Sequence, residues 1–238
     1  MYRSERREGV CRLRGPQTRW LSAGFDGGYA VGETVYNVTV PKGFDRTDLA
    51  RYAGERRDEA GFGDGPTLLT GVEQQHARGA RLDPVTVVAT AGISNPAALP
   101  MQPDDTAEQE TATDDPPTPG TVNVLLGVER RLPDGALASL LALVAETKAA
   151  VLLHETGFSG TTSDAVIVGS ERGGEPAQFA GSATEVGSAA RACVREAVTA
   201  SLDARYAERA PPASVADAEY GVETTVRADL FAPSDIPK

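Results

Sequence analysis

Residues 120–168 read GTVNVLLGVERRLPDGALASLLALVAETKAAVLLHETGFSGTTSDAVIV. This order predicts a β-branched strand, an acidic turn, one long apolar helix, a Gly/Ser/Thr loop and a second strand ending at Val166-Ile167-Val168. Polar groups interrupt elements that otherwise carry only packing: Asn123 in the first strand, Lys148 in the helix, Asp164 directly after Ser159-Gly160-Thr161-Thr162-Ser163. At about 100° per helical residue, Lys148 falls within the stripe of Leu137, Leu141, Val144, Val151 and Leu152, and Glu146 points nearly opposite. An amine there must snorkel, pair with a carboxylate or lose its proton more easily, because desolvation disfavours the charge. Both a structural ion pair and a role as oxyanion partner or proton carrier satisfy that requirement.

The whole chain has 238 residues and a formal net charge of −11. That length buries a sizeable core in a single domain. The charge argues against nucleic acid and anionic membrane surfaces as partners. Lys42, Lys148 and Lys238 are the only lysines, and abundant Asp and Glu beside scarce Lys resembles the proteins of salt-loving archaea. Cys11 and Cys193 stand far apart, so the spacing implies neither a disulfide framework nor a zinc motif, and a reducing cytoplasm fits. The charged start MYRSERREGVCRLRG has no apolar stretch of signal-peptide kind. Residues 1–15 therefore read as a charged segment, 16–208 as the catalytic domain and 209–238 as a C-terminal extension with an edge strand near Tyr220–Val226.

Along the chain, Arg19–Ala23 reads as a strand entering the turn Gly24-Phe25-Asp26-Gly27-Gly28, where Gly27 and Gly28 permit close approach of a ligand. Thr34–Val40 alternates at period two and places Asn37 inside a strand. A helix is expected from Asp45 to about Ala60, a short strand at Thr67–Thr70, and a helical turn at Glu73–His76. Val85–Thr90 reads as a buried strand that delivers Thr90, Ser94 and Asn95 at its end. Residues 101–119 are acidic, proline-rich and poor in large hydrophobes, which predicts a mobile insertion that is either a lid or without chemistry. Ser182-Ala183-Thr184-Glu185 fits a capping box opening a helix to about Tyr206, and Glu185 is either that cap residue or a substrate contact.

His76 and His154 are the only histidines, and neither stands in a metal-ligand spacing. No phosphate-cradling or dinucleotide glycine pattern is present. Carboxylate, hydroxyl, amide and lysine chemistry remains. Amide hydrolysis needs an activated water or hydroxyl, donors for the developing oxyanion and an acid for the leaving amine. Asp164, with Glu146 as the alternative, is the candidate base. Lys148, Asn123, Asn37 and the loop backbone are candidate donors.

The segments WLSAGFDGGYAVGETVYNVTV, LLTGVEQQHA, VVATAGISNP, the strand and helix of residues 120–153, SGTTSDAVIVGS and AGSATEVGSAARACVREAV together resemble the adenosylcobinamide amidohydrolases, corrinoid-salvage enzymes of archaea and some bacteria. The resemblance runs from about Trp20 to Ala207. It implies cleavage of the amide between the aminopropanol arm and a propionate of the corrin ring, giving adenosylcobyric acid and 1-amino-2-propanol. The last loop departs from the family pattern G-T-G-T-D-A: Thr162-Ser163-Asp164-Ala165 follows Gly160-Thr161, which keeps Asp164 and alters its neighbours. The family likeness itself assigns no catalytic residue.

The combined expectation is one α/β domain, α+β layered, with a mixed sheet covered by long helices. Its site gathers Asp164, Lys148, Asn123 and Glu146 as catalytic candidates. Gly27, Gly28, Asn37, Thr90, Ser94, Asn95, Thr161, Thr162, Ser163 and Glu185 are the substrate-binding candidates. The expected partner is a corrinoid small molecule, whose cobalt belongs to the substrate. No protein cofactor and no membrane insertion are expected, metal dependence is open, and self-association is open. A hydroxyl-nucleophile amidase using Thr161, Thr162 or Ser163, and a corrinoid-binding protein without turnover, are the rival readings.

Overall fold

Strand β8 (Val122–Arg131) shows why the chain folds as two layers around one sheet. Alternate side chains leave a strand on opposite faces. Val122, Val124, Leu126 and Val128 face one apolar cluster, while Leu125 belongs to another. The same alternation holds in β6 (Val85–Ala91) and β10 (Ala165–Pro176). These strands are buried on both faces, the pattern of a sheet with layers above and below.

The computed structural model describes residues 1–102, 121–218 and 220–233. Besides those three strands, the large sheet contains β1 (Arg3–Arg7), β2 (Val10–Ser22), β3 (Gly28–Thr39), β4 (Thr67–Thr70) and β5 (Arg78–Leu82). The order is β4-β3-β2-β10-β8-β6-β5, with β1 beside β2. The β8–β10 and β3–β4 pairs are parallel and the others antiparallel, so the sheet is mixed. A smaller sheet joins β7 (Pro96–Ala98), β9 (Gly160–Thr161) and β11 (Val222–Glu223). The architecture is the expected single α/β domain.

Helices α2 (Asp134–Thr156) and α3 (Glu185–Arg205) cover one face. By length and composition α2 would cross a membrane, but half of its most apolar window is buried inside the protein. The other face is closed by the chain's own strands. A register shift between Arg14 and Thr18 bends β2. Its first half then carries β1 and β3 over the core of Tyr2, Leu13, Trp20, Leu68, Leu125 and Ile167. Gly127 is needed beneath this fold-over, because a Cβ there would lie 2.4 Å from the Tyr2 ring. The charged first fifteen residues thus supply β1 and the start of β2, joined by a turn at Glu8-Gly9, and Tyr2 among them is completely buried.

Helix α1 (Leu49–Glu59) lies outside β3 and β4, through Tyr52 and Ala60 against Tyr36 and Val38. It begins later than the sequence predicts because Asp48 binds Arg46 instead of capping the helix. The α3 cap is also displaced. Thr184, not Ser182, accepts the Gly187 N–H at 3.0 Å, since a tight turn already ties Thr184 to the Gly181 carbonyl. The acidic insertion expected at 101–119 lies outside the described residues from 103 onward.

Candidate active site

The parallel strands β8 and β10 begin side by side, with Ala165 in register with Asn123. Asp164 immediately precedes β10, and the apolar stripe of α2 crosses above it. Lys148 is held in that stripe, only 7% exposed, and its Nζ donates to Asp164 Oδ2. Thr161 donates its backbone N–H to the same oxygen at 3.1 Å. Oδ1 accepts the Val122 N–H at 2.7 Å and the Thr161 hydroxyl at 2.5 Å. Each carboxylate oxygen therefore takes two donors, and the charge is paired and hydrogen-bonded as a buried charge must be. Gly160 makes the close approach possible, because a Cβ there would sit 2.8 Å from Asp164 Oδ2.

Beneath this pair the inner face of the sheet carries an amide and hydroxyl chain. Asn123 donates to Asn37 Oδ1 at 2.9 Å and to the Leu69 carbonyl at 2.8 Å, and accepts the Ala165 N–H at 3.2 Å. Asn37 in turn donates to Thr90 Oγ1 at 2.8 Å. Both amide hydrogens of Asn123 are thus engaged and the residue is fully buried. It clamps β3 and β4 onto β8 and β10, and both side-chain amide hydrogens, expected as oxyanion donors, are given to these partners. Asn37 and Thr90 belong to the same clamp.

On the solvent side, the Asn95 side chain donates to Thr162 Oγ1 at 2.5 Å, and its backbone carbonyl accepts the Thr162 N–H at 3.2 Å. The pairing of β7 with β9 fixes this approach. Ser94 is half-buried, and its carbonyl accepts the Tyr220 N–H at 3.4 Å. Ser163 lines a mostly apolar cleft of about 400 Å³, with Phe25, Phe44, Leu68 and Thr121 among its other walls. Arg46 stands at this cleft, where Asp48 and Glu55 hold its guanidinium charged and are themselves held below the usual carboxylate range by it. Gly27 and Gly28 line a neighbouring groove of about 590 Å³ that shares Phe25 with the cleft.

Two candidates are not brought to the site. Glu146 is exposed on the α3 side of α2 and pairs with Arg191 at 2.6 Å. Glu185 pairs with Arg130 at the far end of β8, about 23 Å along the strand from Asn123 at some 3.3 Å per residue. His76 and His154 are apart, bonded to Gln75 and Glu155. Among the described residues no group of three His, Cys, Asp or Glu side chains is arranged around a common point. Sequence reasoning missed Thr70 and Thr121, whose hydroxyls meet at 2.5 Å in the cleft wall. Thr70 reads only as strand in the sequence, although a hydroxyl beside the aliphatic residues of Thr67–Thr70 is an available signal.

A buried ion pair with hydroxyl groups beside it, one residue behind the Ser163 and Ala165 wall of a mostly apolar cleft, equips a protein for polar chemistry on a largely apolar small molecule. Comparison with known proteins makes the class specific. The family model of adenosylcobinamide amidohydrolase matches residues 1–210. An adenosylcobinamide amidohydrolase of Halobacterium salinarum is 49% identical over 236 residues, covering 98% of this chain and all of the relative. Another, of Methanosarcina mazei, is 28% identical over 196 residues, covering 78% of this chain and 90% of the relative. The chain belongs to the adenosylcobinamide amidohydrolase family, and so to the hydrolases acting on an amide bond.

Proposed function

We propose that the chain hydrolyses the amide that joins the aminopropanol arm of adenosylcobinamide to a corrin propionate, releasing adenosylcobyric acid and 1-amino-2-propanol. The observation that carries this reading is the Lys148–Asp164 pair, set directly behind a cleft whose wall includes Ser163 and Ala165. In the cell the reaction would salvage incomplete corrinoids for cobalamin synthesis. A cytoplasmic setting and a salt-rich one are consistent with the charge of −11 and the scarcity of lysine.

The apolar wall takes part of the macrocycle and presents the amide to the polar end. Water attacks the carbonyl carbon and its proton passes to Asp164. Negative charge grows on the carbonyl oxygen, where the Lys148 ammonium stabilises it. The C–N bond then breaks as the proton returns to nitrogen, leaving carboxylate and amine. Asp164 accepts four donors in the free protein, so one must turn away before it takes a proton. The Thr161 hydroxyl is the donor that moves by simple rotation.

A second reading is favoured by that same 2.5 Å contact: Thr161 Oγ1 attacks directly, giving its proton to Asp164 and forming an ester that water then cleaves. Thr161→Val separates the two, because water attack survives the loss of the hydroxyl and direct attack does not.

The proposed activity is tested by incubating the protein with adenosylcobinamide in concentrated salt, with and without a chelator, and detecting adenosylcobyric acid by mass. Product in both samples supports metal-independent hydrolysis by these residues. Product only without chelator redirects the search to a metal, and saturable binding without product favours a corrinoid-binding protein.

A further inference from the structure

Thr70 and Thr121 face one another at the end of β4 and the start of β8, and both line the apolar cleft. A threonine hydroxyl has one proton to give and two lone pairs to receive. Thr70 Oγ1 accepts the Val72 N–H at 3.0 Å and the Thr121 hydroxyl at 2.5 Å, so both lone pairs are filled. Its own proton has no acceptor among the described residues. The neighbouring chain fixes where that proton matters. Thr121 precedes Val122, whose N–H binds Asp164, and its carbonyl accepts the Gly92 N–H at 3.2 Å. The hydroxyl pair is therefore held by backbone contacts on both sides, one residue from the Val122 N–H that binds the carboxylate, in a mostly apolar wall.

We infer that Thr70 donates its hydroxyl hydrogen to the carbonyl oxygen of the scissile amide, with Thr121 fixing the direction of that donation. This inference rests on the proposed amide hydrolysis and adds a second donor to Lys148. In the ground state the bond orients the carbonyl; as negative charge develops on the oxygen, the bond shortens and strengthens. An apolar lining raises its value, since water does not compete for the acceptor. Thr121 is a positioning residue and does not itself touch the substrate.

The test compares the wild type with Thr70→Val, Thr70→Ser and Thr121→Val, measuring kcat and the Kd for adenosylcobinamide, with near-ultraviolet circular dichroism reporting the fold. Thr70→Val is expected to lower kcat on the order of a hundredfold and to weaken binding several-fold. Thr70→Ser is expected to restore both to within about threefold, and Thr121→Val to lower kcat roughly tenfold, because Thr70 keeps its proton but loses its orientation. If Thr70→Val does not fold, Thr70→Cys, which matches Thr70→Ser except for its weaker donor, is expected to lose at least about tenfold in kcat relative to the serine variant. An active wild type with an equally active folded Thr70→Val overturns the donor alone. So does a Thr70→Ser as impaired as the valine variant. A wild type that binds without turnover refutes hydrolysis, and weaker binding by Thr70→Val then still supports the donor, whereas unchanged binding overturns it. A wild type that neither binds nor turns over the substrate overturns both.

Discussion

Lys148 of α2 and Asp164 of the loop before β10 form an ion pair in which the two side chains are only 9% and 11% exposed. Their helix and strand cross at this point, so the pair joins the helical layer to the sheet as well as standing behind the cleft. Removing one partner strands the other charge. Lys148→Met is therefore expected to cost about 3 kcal/mol of stability and to abolish turnover, as measured by urea unfolding and by aminopropanol release. Asp164→Asn keeps the shape, and is expected to lower kcat on the order of a thousandfold by removing the base. Turnover by Asp164→Asn within tenfold of wild type would refute that role.

Gly160 tests the geometry without changing a charge. The alanine Cβ would enter within 2.8 Å of Asp164 Oδ2 and 3.4 Å of Lys148 Nζ. Gly160→Ala is expected to reduce kcat/KM by at least about tenfold by displacing the pair, in a protein whose circular dichroism is unchanged. Wild-type kinetics would show that the contact yields without consequence.

The amide clamp predicts a different signature. Asn123→Ala leaves the Asn37 oxygen, the Leu69 carbonyl and the Ala165 N–H without their partner. Stability is expected to fall by about 3 kcal/mol in urea titrations, with kcat reduced less than in Asp164→Asn. A variant of normal stability and lost turnover would instead make Asn123 an oxyanion donor.

Glu146 and Glu185 are expected to be dispensable, since each makes an exposed ion pair away from the cleft. Glu146→Gln and Glu185→Gln should each retain kcat/KM within about twofold of wild type. A large loss in the Glu146 variant would reopen its candidacy as base.

Alkaline pH acts through the inner core. Burial pushes the Cys11 thiol from its ordinary value of 9.0 to about 12 and raises the Tyr2 phenol in the same direction. Both folded-state values lie above the unfolded ones, so the stability they reflect is complete below pH 9 and declines as pH rises toward 12. The urea midpoint is expected to fall progressively across that window, and a thiol reagent to reach Cys11 only as the protein opens. A constant midpoint would contradict the burial of these groups.

Much of this arrangement was legible in the sequence, for reasons that differ by element. Strand β6, most of β8 and the first half of β10 are near-continuous apolar or threonine runs that a two-sided core accommodates. The position of Lys148 followed from helical period, since α2 buries the stripe that contains it. The hairpin of β1 with the first half of β2 was hidden because its arginines read as solvated, while the contact that buries Tyr2 comes from Gly127, far along the chain. The fate of Asn123 was hidden for a related reason. Its acceptors come from β3 and β4, and no local pattern says that both hydrogens will be used. Glu146 shares a helix with Lys148, and helical spacing already turns it to nearly the opposite side; only its partner there, Arg191 of α3, could not be read from spacing.

Hydrolysis at the Lys148–Asp164 pair is examined most sharply by following adenosylcobinamide with the wild type and Asp164→Asn in ¹⁸O-water at concentrated salt. The wild type is expected to form adenosylcobyric acid carrying one ¹⁸O in its new carboxylate, together with free 1-amino-2-propanol, while the folded Asp164→Asn protein forms almost none. Equal product from the two proteins, or intact substrate bound by a folded wild type, would contradict it.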